Sequence, residues 1–448
     1  MNGSGNFPND FTGGVYDARV MGVKVAVVGA GSTYTPELVE GFVTRTDRLP
    51  VDELALLDID PERLGIVGAL AERMMRRAGW GGTLALTGDA REALEGADYV
   101  VVQLRVGGNK ARYTDETIPL EFDVIGQETT GPGGFAKALR TVPVVLGLAE
   151  LTAEIGAPNA WFVDFTNPTG LVTQALLDAG HHALGLCNVA IGFQRSFAKY
   201  FDVTPDRVQL EHVGLNHLSW ERKVLVDGVD RLPELLALSP DAPNHPFDEI
   251  DWVPIEFVRD LGAIPSYYLH YYYRTSAVLA EQREGTTRAE QVMEIEAGLL
   301  ELYKDPSLDT KPALLEQRGG AYYSDAAAAL IASLQAGTGD VQVVNVRNEG
   351  AVANLADDDV VEVACTVDRD GAHPLSVEPL PPEMHALVAH VKDYERLTIA
   401  AALSGSRSDA LQALLANPLV PDLDTAQPLL DALLEVNRRY LPRFWPEG

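Results

Sequence analysis

The chain contains only two cysteines in 448 residues, Cys187 and Cys365, far apart in the sequence. A disulfide framework is therefore not expected, and a reducing cytoplasm suits such a chain. There is no run of about 18 apolar residues, so nothing is expected to span a membrane. The first twenty residues, MNGSGNFPNDFTGGVYDARV, lack the basic start and apolar stretch of a signal peptide. They read as a disordered leader over 1–20, with Met21 a plausible start. Cations are scarce: 35 Lys and Arg face 65 Asp and Glu, a net charge of −30. That excess repels nucleic acid and anionic membranes, and neither is expected as a partner. An anionic small molecule is not excluded, because a few arginines can reverse the field inside one pocket.

What is present is an ordinary globular composition, 46% hydrophobic and 22% charged, long enough for two lobes. Val23-Lys-Val-Ala-Val-Val-Gly-Ala-Gly-Ser32 reads as a buried strand feeding a glycine turn and a helix. Further strands are expected at Glu53–Asp58, Thr83–Thr87, Tyr99–Leu104, Ala160–Phe165 and Ala183–Leu186, alternating with helices. This alternation predicts a doubly wound, Rossmann-like α/β domain over 21–205. Residues 105–134 read as a long polar, glycine-rich connection. From about Val208 the pattern turns to antiparallel strands in VQLEHVGLNHLSWERKVLV. Helical stretches follow near 285–303, 321–336, 381–404 and 407–440, with the strands VQVVNV and VVEVACTV between them. A mixed α+β second domain is expected over 206–448.

Gly29-Ala-Gly31, between strand and helix, suits close approach of a pyrophosphate. Ser32 and Thr33 continue that turn. Asp58 ends the second strand, where a carboxylate holds a ribose and favours NAD. The third glycine of the usual fingerprint is absent, with Tyr34 in its place. Cys187-Asn188 follows a buried strand, and His217 lies in Gly-Leu-Asn-His217. A thiolate and an imidazole together suit Mn, Fe, Co or Ni. Each alone is more often structural, and Cys365 reads as core. The segment Ile264–Tyr273 is dense in tyrosine. Most of these rings read as packing, and one phenol beside a metal can act as a general base. Arg105, Arg140 and Arg288 can each pair with a phosphate, though an ordinary ion pair is the commoner use.

Taken together, GAGSTYTPEL, LLDID, QLRVGG, the IGQET–GPGG loop, FTNPTG, GLCN, GLNHLSW, YLHYYY and TRAEQVMEIE resemble glycoside hydrolase family 4, the NAD- and metal-dependent glycosidases. The resemblance runs from about Val23 to Tyr440 and points to the 6-phospho-β-glucosidase branch. It implies a fold related to lactate and malate dehydrogenases and a homodimer or homotetramer. It implies Cys187 and His217 as metal ligands and Tyr268 as catalytic base. Arg105, Asn167, Asn188 and Arg288 match substrate-contact positions, with Arg105 near the phosphate. It also implies a redox-assisted elimination in place of the two-carboxylate route of most glycosidases. In that route NAD oxidises C3 of the sugar, Tyr268 removes the C2 proton with metal assistance, and the C1 substituent leaves. Water then adds, and C3 is reduced again. The phosphoglycosidase pattern continues Cys-Asn-x-Pro, whereas this chain has Cys187-Asn-Val-Ala190.

Three other readings stay open on these residues. One is a family member acting on an unphosphorylated galactoside, glucoside or uronide. Another is a lactate- or malate-type dehydrogenase, and the third a non-catalytic NAD-binding protein.

Overall fold

The computed structural model describes residues 22–238, 246, 250–319 and 323–445. The expected leader lies outside them. Six strands open the chain: β1 (Val23–Val28), β2 (Val51–Leu57), β3 (Thr83–Thr87), β4 (Tyr99–Val102), β5 (Trp161–Asp164) and β6 (His182–Gly185). They pair in parallel in the order β3-β2-β1-β4-β5-β6. This is the doubly wound dinucleotide-binding order, which reverses direction between β1 and β4. The central strand β4 is a continuous buried apolar run because helices cover both faces, while the edge strand β3 stays partly exposed. The helix Thr35–Val43 takes Pro36 in its first turn, where no backbone donor is lost. The helix Pro61–Arg77 starts on an Asp60 cap whose carboxylate accepts from the amides of Glu62 and Arg63.

The second half adds β7 (Val208–Leu215), β8 (Leu218–Val226), β9 (Val229–Asp230), β10 (Ile264–Pro265), β11 (Asp340–Arg347), β12 (Val360–Asp368) and β13 (Gly371–Pro374). They do not build a separate sheet. β11 pairs antiparallel with β6 through Asn345 and Gly185, and one 13-stranded sheet continues through β12, β7, β8 and β10. VQLEHVGLNHLSWERKVLV is the β7–β8 hairpin, closed at Asn216-His217. Gly214 sits at φ 145°, and a Cβ there would meet the Leu218 carbonyl oxygen at 2.2 Å. Only glycine lets the strand bend into this turn.

Two expectations change. Residues 105–134 are not a loop throughout: a helix spans Gly108–Thr117, a 3-10 turn spans Pro119–Phe122, and the next helix begins at Gly131. The first of these helices buries Arg112, Asp115 and Glu116 as ion pairs, so it carries no apolar stripe for periodicity to detect. The expected helix 407–440 is two helices, Arg407–Leu415 and Leu423–Val436, separated by a stretch containing Pro418 and Pro421. Among the described residues no helix is long and apolar enough to cross a membrane.

Candidate active site

A cleft of about 980 Å³ opens at the carboxyl ends of β1, β2 and β4, the point where such sheets bind ligands. Gly29, at φ 86°, leaves no room for a side chain: a Cβ would lie 2.6 Å from Leu104 Cα. At Gly31 a Cβ would fall 2.8 Å from the Asp58 carboxylate. The Gly31 amide donates to Asp58 Oδ2 at 2.7 Å, so turn and acid are locked together. A bare-backbone cradle next to a held carboxylate fits a dinucleotide. The helix Arg288–Tyr303 braces this turn from the other half of the chain. Arg63 Nε donates to the Gly31 carbonyl at 3.0 Å, and Arg63 Nη2 to Glu296 at 3.1 Å. The Tyr303 hydroxyl donates to the Thr33 carbonyl at 2.6 Å.

Cys187 follows β6 and caps the helix Asn188–Tyr200. It is buried, as is Cys365 in β12, and neither is in a disulfide. His217, in the turn of the β7–β8 hairpin, adopts the left-handed conformation at φ 64° and is 4% exposed. Its ring stacks on Tyr268, 3.6 Å between centroids at 18°. Tyr268 and its neighbour Tyr267 also pack on the small core cluster that contains Cys187. Nδ1 of His217 lies 2.8 Å from the Thr129 hydroxyl, and Nε2 is buried without a hydrogen-bond partner among the described residues. Burial pushes this imidazole down to about 3, so the ring is neutral. A neutral histidine with a bare buried nitrogen, on the sheet edge that carries a cysteine, fits a transition metal. Among the described residues no group of three or more His, Cys, Asp and Glu could hold a metal ion. Two protein donors leave coordination positions open for substrate oxygens.

Glu128 is the hub of the cationic wall. It pairs with Arg105, with Lys137 Nζ at 2.6 Å and with Arg112 at 3.2 Å. Burial opposes its ionisation, but these three cations hold its carboxyl well below the usual range. Burial, aided by nearby Arg105, pulls the Lys137 ammonium down to about 7 against the pull of Glu128. Arg112 also pairs with Glu116 at 2.6 Å, and Glu116 accepts from the Ala289 amide at 2.8 Å. That contact seats the start of the helix Arg288–Tyr303, whose capping box joins Thr287 and Glu290. Arg288 is exposed, with Nη2 on the Gln317 and Arg318 carbonyls. In a chain of net charge −30 this local excess of cations suits an anionic ligand.

Of the residues singled out by sequence, Gly29, Gly31, Ser32, Asp58, Arg105, Asn167, Asn188, Tyr268 and Arg288 all line this cleft. Cys187 and His217 lie behind its lining, the latter in ring contact with Tyr268. Thr33 does not line it: its side chain is buried, 3.3 Å from Glu296. Arg140 is fully buried in an ion pair with Asp115, the ordinary use of an arginine. Sequence reasoning did not single out Arg112, Glu128, Thr129, Lys137 and Glu296. The glycine-rich loop carries Glu128 and Thr129 and the TRAEQVMEIE stretch ends at Glu296, but nothing marked Arg112 or Lys137.

The protein-family comparisons agree with this geometry. Residues 24–203 match the family 4 glycosyl hydrolase model, and residues 212–420 match the family 4 glycosyl hydrolase C-terminal domain. A Bacillus subtilis (strain 168) protein described as "Probable 6-phospho-beta-glucosidase" is 46% identical over 95% of this chain and 98% of its own. The 6-phospho-β-glucosidase structure from Thermotoga maritima, with manganese, NAD+ and glucose-6-phosphate, superposes with a TM-score of 0.87. It is 38% identical, over 93% of this chain and 99% of that one. Malate dehydrogenase of Cryptosporidium parvum shares the fold, with a TM-score of 0.51 at 15% identity over 86% and 100% of the two chains. With both halves matched and a relative at 46% identity, this chain belongs to family 4 of the glycosyl hydrolases.

Proposed function

We propose that this enzyme hydrolyses 6-phospho-β-glucosides, with NAD+ and a divalent metal, manganese first, as cofactors. The observation that carries this reading is His217: buried, neutral, stacked on Tyr268, and with a bare Nε2. Such an atom is costly unless something binds it. The relatives support the substrate class, since the Thermotoga maritima structure holds manganese, NAD+ and glucose-6-phosphate together.

When bound, NAD+ supplies a hydride acceptor and the metal a Lewis acid for the sugar oxygens. The chain's own residues do the rest. Cys187 and His217 would hold the metal. The Gly29–Gly31 cradle and Asp58 bind the dinucleotide, with Ser32 and Thr33 completing the turn. Tyr268 accepts the C2 proton at its phenolic oxygen. Arg105 and Arg288 bind the 6-phosphate as charge-assisted hydrogen-bond donors. Asn167, whose side-chain oxygen is buried without a partner among the described residues, and Asn188 orient the sugar hydroxyls. Residues 21–205 form the dinucleotide domain and also supply Cys187, Arg105, Asn167 and Asn188, while residues 206–448 add His217, Tyr268 and Arg288 and serve self-association. The working state is a homodimer or homotetramer in the cytoplasm.

A second reading rests on Ala190, buried in the first turn of the helix after Cys187 where the phosphoglycosidase pattern has proline. It moves the substrate to an unphosphorylated glycoside and keeps the chemistry. The deciding experiment is hydrolysis of p-nitrophenyl 6-phospho-β-glucoside, with and without NAD+ and Mn2+, under reducing conditions. Turnover that needs both additions and forms no net NADH is the expected result. Turnover of unphosphorylated glycosides alone selects the second reading. Silence on every glycoside removes both.

A further inference from the structure

Within the loop Gly126–Thr130 one side-chain oxygen gathers three donors. Gln127 Oε1 accepts three hydrogen bonds: from the Thr129 amide at 2.5 Å, the Thr130 amide at 2.6 Å and the Thr129 hydroxyl at 2.8 Å. The loop backbone is pressed onto the helix that follows it. A Cβ on Gly133 would lie 2.1 Å from the Gln127 carbonyl oxygen, and one on Gly134 would lie 2.3 Å from that of Thr129. Thr129 therefore has little freedom to turn its hydroxyl elsewhere.

A hydroxyl has one proton. Here it is committed to Gln127 Oε1, which can only accept. Toward His217 the same oxygen can offer only a lone pair. Nδ1 of His217, 2.8 Å away, must then carry the ring proton and donate it. In a neutral ring this leaves Nε2 bare, and Nε2 is the atom with no hydrogen-bond partner among the described residues.

We propose that Thr129 and Gln127 are positioning residues that lock His217 in its Nδ1–H tautomer and so present Nε2 to the metal. The relay runs Nδ1–H to Thr129 Oγ1, then Oγ1–H to Gln127 Oε1. It rests on the metal reading only for its purpose, because the tautomer itself is a property of the metal-free chain. Such outer contacts fix the orientation and basicity of a ligating imidazole, and losing one weakens metal binding about 10–100-fold.

The test uses the full chain with NAD+. Mn2+ is titrated against it while free Mn2+ is followed by electron paramagnetic resonance, and the His217 tautomer is read by nitrogen-15 NMR in the metal-free protein. Thr129→Val keeps the shape and removes the hydroxyl. It is expected to weaken Mn2+ binding about 10–100-fold and to lose the pure Nδ1–H signature. Thr129→Ser restores both, and Gln127→Met behaves like Thr129→Val. If Thr129→Val binds Mn2+ as wild type does, or if Thr129→Ser fails with it, the relay is wrong. If the valine variant does not fold, Gln127→Met and the wild-type spectrum decide the same question. A wild-type Nε2–H signature overturns the proposal outright. A wild type that binds no Mn2+ but shows Nδ1–H defeats the metal reading and leaves the tautomer lock standing.

Discussion

Two histidines on the same β7–β8 hairpin are both buried, yet one is charged and the other neutral. His212 is 0% exposed, with Nδ1 2.7 Å from Glu221 and Nε2 3.3 Å from Glu362. Burial alone would lower its pKa, but the two carboxylates outweigh burial and push it up to about 10. His217 is 4% exposed and meets one hydroxyl and one aromatic face. Burial outweighs the pull of the Glu128 carboxylate there, and its pKa falls to about 3. Both ring nitrogens of His212 are engaged by carboxylates, while one of His217 is held in reserve. Burial fixes how much a neighbour counts, and the neighbours fix which protonation state survives.

The comparison can be broken at either end. His217→Ala is expected to cut metal-dependent hydrolysis by about a thousandfold, the loss of several kcal/mol of Lewis-acid assistance. The same change should cost less than about 2 kcal/mol of stability, read by urea melts. His212→Leu should do the reverse. It strands Glu221 and Glu362 and costs about 3–5 kcal/mol, while Mn2+ affinity of the folded fraction stays within about threefold. An equal loss of Mn2+ affinity in both variants would erase the distinction.

The pH dependence of stability sharpens it. The folded pKa of His212 lies above its unfolded value of about 6.5. Its contribution is complete below pH 6.5 and is lost as pH rises toward about 10. The folded pKa of His217 lies below the unfolded value. Its contribution is present above pH 6.5 and is lost as pH falls toward about 3. Urea melts across pH 4–9 should show the alkaline slope vanish in His212→Leu and the acidic slope shrink in His217→Ala. The smallest effect separates the two cysteines. Cys365→Ala should cost about 1 kcal/mol of core packing and leave Mn2+ affinity unchanged, unlike Cys187→Ser.

What could be read from the chain alone follows physical range. Gly29, Gly31 and Asp58 were legible because a strand, a turn and a strand end announce themselves locally. The β7–β8 hairpin was legible from its alternation. The roles proposed for Cys187, His217 and Tyr268 rested on resemblance, since a lone cysteine or histidine carries no spacing signal. Lys137 and Arg112 were invisible and Glu128 showed only as part of the IGQET–GPGG loop, because their meaning is their mutual pairing and they lie in different elements. The charged helix Gly108–Thr117 passed for loop for the same reason: it is buried by ion pairs and not by an apolar face. The joining of β11 to β6, which makes one sheet of two expected units, depends on a long-range contact at Asn345 that no local pattern encodes.

The helix Arg288–Tyr303 begins at the cationic wall and ends against the Gly29–Thr33 turn, with Glu296 between. Its contacts at the two ends have fixed angular phases on one cylinder. One residue gained or lost between Arg288 and Glu296 would turn one end about 100° from the other. Arg288 and Tyr303 could not then both keep their places. Over evolutionary time this segment is free to change its exposed residues but not its length, and insertions accepted elsewhere in the chain should be missing from it.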